Sequence, residues 1–360
     1  MNIMTALVDL ESILTDFSEE MKRDLRFIHS LSLIPAPKVA FHAADADGVI
    51  SASILKALKE FKTAVFIPLR YQVIHHYKFN QFLASLNWIA IVDLPPFNES
   101  NIALYIDHHF SNKSRTKNAE VVLFDEKAPS AAYLLCEYFK DRLPESLKIL
   151  ADLTTITDTA GFTIPPPEKY TPNFLEATRQ EQAWLLDDIC RTPESVQAVF
   201  TLVQDISQQG LDIFNNMVYQ QKIFNLRTLR KKSREIGDRF DLAEVIIIIQ
   251  GKERIMTSAL VHKLFEKGVK ISCFIFPGKK FTGISLRVNP NVPESELERC
   301  RVDHLAKKFS GGGHPRAAGG RGTSLQTTLI QIFKWIQEQA FTSKEYDLRK
   351  TAPFFNKKDL

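Results

Sequence analysis

The chain has 360 residues, 44% of them apolar and 24% charged, which excludes wholesale disorder and fibrous repeats and suggests about two domains. Forty-six Lys and Arg against 42 Asp and Glu leave a net charge of +4. That is compatible with a phosphate-bearing substrate and far below the dense positive field of a genome-coating protein. The four cysteines, Cys136, Cys190, Cys273 and Cys300, form no C-x-x-C pair. They read as reduced, small apolar residues of a cytoplasmic protein, not as a disulfide framework or a zinc site. Asp9 and Glu11 interrupt the amino-terminal apolar stretch, which speaks against a secretory signal. The longest apolar run, Val245 to Ile249, is about a quarter of the roughly 20 residues a membrane-spanning helix needs.

Residues 3–30 carry apolar positions at helical spacing (Leu7, Leu10, Ile13, Leu14, Phe17, Met21, Leu25, Ile28), an amphipathic lead-in helix. Pro35 and Pro37 close this segment, 1–35, which is open either to packing on the next domain or to forming a homodimer. Strand-like and helix-like stretches then alternate: KVAFH, SASILKALKEF, AVFIP, a helical stretch to Leu86, WIAIVD, ALYID and EVVLF. Apolar strands alternating with amphipathic helices predict an α/β domain with a doubly wound parallel sheet, covering 36–172. Helices are expected at 130–140 and 144–157, and the proline run 165–167 is a hard break. Residues 173–240 read as a helical connector. A smaller α/β domain, 241–342, begins at AEVIIIIQ. It continues with a helix at 253–267, the strands ISCFIF and FTGISLRV, and helices at 303–309 and 324–341. The remaining 343–360 read as a loose basic tail.

Acids and histidines collect at strand ends. KVAFH runs into Ala43-Ala44-Asp45-Ala46-Asp47-Gly48. If that segment stays extended, residues i and i+2 share a side, so Asp45 and Asp47 present two carboxylates to one spot, Gly48 supplies the turn and Ser51 caps the next helix. Singly, each such acid is as well explained by a turn. WIAIV ends on Asp93, and ALYI ends on Asp107-His108-His109. In open α/β sheets ligands bind beyond the carboxyl ends of the strands, so three such strands define one site. In ADLTTITDTAGF a helix turns through about 600° between Asp152 and Asp158, which leaves only one of them to serve. Asp158, next to Gly161, is the better placed; Asp152 reads as helix surface. Carboxylates and imidazoles without thiolate suit Mn²⁺ or Mg²⁺. More ligands than one ion needs favour a pair of ions that arms water for phosphoester hydrolysis.

Together, FHAADADG, IAIVDLPP, YIDHHF and TITDTAGF resemble the four motifs of the DHH phosphoesterase superfamily. GISLR and FSGGGHPRAAGG resemble its substrate-binding DHHA1 domain. The resemblance spans about residues 36–340. It implies Asp45, Asp47, Asp93, His108 and Asp158 as metal ligands, with Asp93 bridging two Mn²⁺ ions, for which Mg²⁺ or Co²⁺ are substitutes. Asp107 is expected to orient His108, and His109 to face the scissile phosphate. His42 stands three residues before Asp45 where many members have four, and reads either as a ligand or as a buried strand-end histidine. Gly311, Gly312 and Gly313 suit an anion-binding nest. His314, Arg316 and Arg287 add donors for a phosphate or terminal nucleotide. His75-His76 has no matching motif around it and reads as loop or helix surface.

The implied activity is a manganese-dependent phosphodiesterase of the nanoRNase or oligoribonuclease type. It would hydrolyse short single-stranded oligonucleotides, or small nucleotides such as 3′-phosphoadenosine 5′-phosphate and linear or cyclic dinucleotides, in the cytoplasm and away from membranes. RecJ-type exonucleases usually carry additional domains for which this chain has no spare length. Inorganic pyrophosphatase or exopolyphosphatase is the second reading, against which the GGGH segment argues. The third, a catalytically dead scaffold, would be expected to have lost ligands.

Overall fold

The computed structural model describes residues 13–350 except 15–16, 75, 98–101, 110–111, 114–118, 160, 165, 168–172, 253 and 279–280. The chain divides into two compact units, Met1–Phe224 and Asn225–Leu360. Among the described residues no helix is long and apolar enough to cross a membrane.

The first unit is built on β1 (Lys38–His42), β2 (Val65–Leu69), β3 (Trp88–Val92), β4 (Ile102–Asp107) and β5 (Ala119–Phe124), in the order β2-β1-β3-β4-β5. Every neighbouring pair is parallel. β1 and β2 are buried along their whole length, because helices cover both faces of a parallel sheet and its strands need no polar alternation. One face packs on α2 (Ala46–Ala57), α5 (Ala131–Tyr138), α6 (Glu145–Asp158), α7 (Arg179–Arg191) and α8 (Val196–Gln209). The other packs on α1 (Glu19–Ser32), α3 (Tyr71–Ile74) and α4 (Tyr77–Ala84). Residues 1–12 of the expected lead-in helix lie outside the described residues. Its described part buries Leu25 and Ile28 in the sheet's second core, so packing on the domain accounts for that apolar stripe. Within 173–240, α7 and α8 place Leu185, Leu186, Leu202 and Val203 in the first unit's core, and the unit boundary falls within α9 (Met217–Asp238). The winding reverses direction between β1 and β3. Such a switch point leaves a crevice beyond the strand ends.

The second unit carries β6 (Val245–Ile249), β7 (Ile271–Pro277), β8 (Thr282–Val288), β9 (Gly312–His314), β10 (Ala317–Gly322) and β11 (Ser343–Asp347), in the order β11-β6-β7-β8-β10-β9. β11, β6 and β7 are parallel, and β7, β8, β10 and β9 antiparallel. One face packs on α11 (Glu294–Cys300), α12 (Val302–Lys307) and α13 (Leu325–Glu338). The opposite face is covered over β6 and β7 by the end of α9 and by α10 (Thr257–Glu266). The segment expected as a loose tail begins with an ordered strand: Ser343–Asp347 pairs residue for residue with Val245–Ile249. Backbone pairing to an apolar neighbour overrides the weak strand preference of SKEYD. Residues 351–360 lie outside the described residues.

Candidate metal centre and its surroundings

His42 ends β1 and Asp93 follows β3, side by side at the switch point. Asp45 is not in an extended run with Asp47. It is the N-cap of α2, its carboxylate accepting the Gly48 N–H at 3.1 Å, while Asp47 lies in the helix's first turn. The D-x-D pair is therefore divided by the helix start, and its two carboxylates serve different groups. Ser51 is inside the helix rather than capping it, 3.4 Å from Asp47 Oδ1. Gly48 is there for close approach rather than for a turn: a Cβ would lie 2.1 Å from the His42 carbonyl oxygen. Asp47 is buried and accepts the N–H groups of Ala131 and Ala132, both at 2.7 Å, at the amino end of α5. A helix start suits an anion there.

Asp93 has φ 54°, left-handed backbone that a non-glycine residue adopts at a cost and that often marks a functional position. Its N–H donates to the Ile106 carbonyl of β4 at 2.9 Å. That pins the carboxylate beside His108 and His109. Asp158 is the last residue of α6, while Asp152 is on that helix's surface, paired with Arg179.

These residues fall into adjoining groups whose ligand atoms lie within 4.8 Å of one another: His42, Asp45 and Asp93; Asp93, His108 and His109; Asp47, His108 and Asp158. Asp93 and His108 are each shared. His42 Nδ1 is 2.8 Å from Asp45 Oδ2 and 3.4 Å from Asp93 Oδ2. His108 Nε2 is 3.5 Å from Asp47 Oδ2 and 3.3 Å from Asp158 Oδ2. Yet His42 Nδ1, His108 Nε2 and Asp93 Oδ1 are buried with no hydrogen-bond partner. Their neighbours are near, but the angles are wrong for a hydrogen bond, as when lone pairs converge on a common point.

The electrostatics agree. Burial, followed by the charges of Asp93 and Asp158, pushes Asp47 well above the ordinary carboxylate range. Burial and Asp45 push Asp93 up to about 7, and burial raises Asp158. Burial disfavours the charged His42 ring, but Asp45 and Asp93 outweigh it and raise its pKa to about 10. Two like charges about 5 Å apart repel by roughly 3 kcal/mol at an effective dielectric of about 20. Four carboxylates crowded this way match the charge of two divalent cations. An oxygen- and imidazole-rich donor set without sulfur suits Mn²⁺ or Mg²⁺. The residues fit such ions.

Asp107 does not orient the His108 ring. Its carboxylate takes the His109 Nδ1 at 2.9 Å, the backbone N–H groups of His108 and His109, the Tyr105 hydroxyl at 2.7 Å and the Asn112 amide at 2.6 Å. Burial works against its charge, but these donors prevail and hold its pKa low. The hydrogen bond to Asp107 raises His109 to about 9 against the effect of burial. The His108 ring is held instead by the Ala128 carbonyl, 3.2 Å from Nδ1. Asp107 and His108 are adjacent on a strand end and project differently, so the carboxylate reaches His108 only through its backbone. Tyr105, Asn112, Ala128 and the α5 amino end were not foreseen. Ser130 before an apolar run was the one local signal, and it caps α5 as such a residue should. Tyr71, also unforeseen, sets its ring 4.6 Å from that of His42.

In the second unit Ala317 pairs with Arg287 on one side and His314 on the other, so the two share a row of the sheet. The His314 side chain lies outside the described residues. Gly311 is a close-approach position: a Cβ would lie 2.0 Å from the Gly319 carbonyl oxygen, and its N–H is taken by Ala306. Gly312 and Gly313 are extended in β9, held in register by β10, so the glycine run is a strand and not a nest. Arg316 is not free for phosphate: its guanidinium donates to the carbonyls of Asn289 and Val292, both at 3.1 Å, and to Glu294. His75 lies outside the described residues; His76 precedes α4, its ring 5.0 Å from that of Phe17.

No family model matches the sequence, and no curated protein matches it either. Solved structures do match. A pGpG-specific phosphodiesterase, PggH from Vibrio cholerae, is similar at a TM-score of 0.57 and 17% identity, over 84% of this chain and 99% of that one. RecJ from Thermus thermophilus, in complex with Mn²⁺, is similar at a TM-score of 0.50 and 16% identity, over 93% of this chain and 57% of that one. At these identities the likeness is one of fold: over most of its length the chain folds as these two proteins do.

Proposed function

We infer that this protein is a metal-dependent phosphodiesterase that hydrolyses short oligonucleotides or small nucleotides to mononucleotides, with two Mn²⁺ ions as resident cofactor. The observation that carries the reading is the meeting of three ligand groups around Asp93 and His108, with buried donor atoms left unpartnered. His42, Asp45 and Asp93 would hold one ion, and Asp47, His108 and Asp158 the other, with Asp93 between them. Ions held there supply Lewis-acid charge to a phosphoryl oxygen and lower the pKa of a water. The chain's own residues do the rest. Asp107 fixes the His109 ring through Nδ1, leaving Nε2 as the donor to a non-bridging phosphoryl oxygen. Arg287, His314 and the glycines of β9 take the substrate's terminal phosphate, Arg287 through its planar fork. The similarity to a phosphodiesterase and to RecJ supports this reaction class, and the four free cysteines suit the reducing cytoplasm.

The test is incubation with Mn²⁺ and labelled RNA and DNA strands of about two to twenty nucleotides, with 3′-phosphoadenosine 5′-phosphate, cyclic dinucleotides, pyrophosphate and polyphosphate alongside. Mononucleotide release from the shortest strands, abolished by chelator, is expected. Turnover of pyrophosphate or polyphosphate alone would replace this reading with the phosphatase one. Metal binding without any turnover would leave a scaffold.

A further inference from the structure

The sheet of the second unit has one feature that phosphate recognition does not use. Ile284, Leu286 and Ala318 face its helix-covered core. On the opposite face α9 and α10 cover β6 and β7, burying Phe274, while β8 and β10 show Gly283, Ser285, Arg287, Ala317, Gly319 and Arg321, none of them buried. Most of these side chains are too small to fill the space above the strands. The four strands β7, β8, β9 and β10 contain no Asp or Glu.

The rows along this face run from polar to aromatic. One row aligns Arg287, Ala317 and His314; the next Ser285, Gly319 and Gly312; the third Phe276, Gly283 and Arg321. At that third row Phe276 is 37% exposed, and its Cδ2 lies 3.8 Å from where a Gly283 Cβ would stand. Phe281 is 45% exposed, with the Arg321 guanidinium 4.8 Å from its ring centroid. Four residues of strand, about 13 Å, separate this end from Arg287.

We propose that this open face is a nucleobase platform: with phosphate held at the Arg287 row, a base of the same short strand lies over the small-residue floor and stacks on Phe276 and on the Arg321–Phe281 pair. Resting on the phosphodiesterase reading, the platform specifies a substrate that carries bases. The floor admits a flat ring, the phenyl rings offer π-faces that any base can use, and an arginine stacked on a ring adds a planar cation. Arginines at both ends and no carboxylate between them suit a phosphorylated ligand and disfavour an acidic peptide. An apolar peptide would have no partner for the two guanidinium groups.

The test is calorimetric binding to the full chain in EDTA, where nothing turns over, so its result is independent of whether the protein is a hydrolase. The probes are a 5′-phosphorylated dinucleotide, pdApdA, and the same backbone with both bases replaced by abasic spacers. The wild-type protein is expected to bind the base-bearing probe on the order of tenfold more tightly, and Phe276→Ala and Arg321→Gln to reduce that preference towards unity. Equal affinity of the wild-type protein for both probes, or a preference kept by both variants, would overturn the platform. Mn²⁺-dependent hydrolysis of pdApdA, measured separately, reports on the phosphodiesterase reading alone.

Discussion

On the proposed reading, the two units would approach a phosphate in opposite ways. The first crowds ionisable side chains beyond the ends of β1, β3 and β4, buries His42, Asp47, Asp93 and Asp107, and leaves three donor atoms unpartnered. Its geometry is over-determined: Asp107 alone accepts five hydrogen bonds. The second strips side chains away: on the open face of its sheet β8, β9 and β10 place Gly283, Gly312 and Gly319. One site is built to hold charge in place at a cost in repulsion. The other, as proposed, would let a ligand approach the backbone.

The widest separation between the two should come from Asp93→Ala. It removes the carboxylate common to two ligand groups, so bound manganese, measured by plasma mass spectrometry, should fall from two ions per chain to one or none. Turnover should drop on the order of a thousandfold, about 4 kcal/mol in the barrier. Near-normal hydrolysis by this variant would break the comparison at its root.

Metal removal comes next. A ligand at a hundred times its Kd stabilises the native state by about 2.7 kcal/mol, which for a domain of this size is roughly 5–10 °C in Tm. Calorimetry should show that shift on adding Mn²⁺ to the chelated protein, confined to the transition of the first unit. A shift shared equally by both transitions would mean that the carboxylate cluster is not where the ion acts.

Asp107→Asn separates holding an ion from holding a ring. The amide keeps the shape but loses the charge that fixes His109. Residues that orient an active group typically contribute about 10–100-fold, so turnover should fall by that much with two ions still bound. Loss of the ions would return Asp107 to the role of orienting His108. The smallest effect is that of Arg287→Gln. It should raise KM on the order of tenfold, the loss of one charge-assisted contact, with metal content unaltered. If it stripped the metal, the division of labour between the units would fail.

How much of this could be read from the sequence depended on whether the signal was local. Asp93, Asp107, His108, His109 and Asp158 stand out because acids and histidines ending apolar runs are conspicuous. The parallel sheet follows from strands without polar alternation. Asp45 and Asp47 were visible too, but their geometry turned on whether three residues after β1 stay extended or start a helix, and pattern does not decide that. The Ala128 carbonyl that holds His108 has no side-chain signature, and neither do the Ala131 and Ala132 amides on Asp47. β11 was hidden because its stability lies in pairing with β6, a strand nearly a hundred residues earlier. The glycine run was conspicuous, but its conformation is set by β10, so a nest was expected where a strand stands.

The most direct measurement is anomalous diffraction at the manganese edge from crystals grown with saturating Mn²⁺. The expected map has two peaks, one against His42 and Asp45, the other against Asp47, His108 and Asp158, with Asp93 touching both. A single peak, or peaks away from Asp93, would contradict a two-ion centre at the ends of β1 and β3.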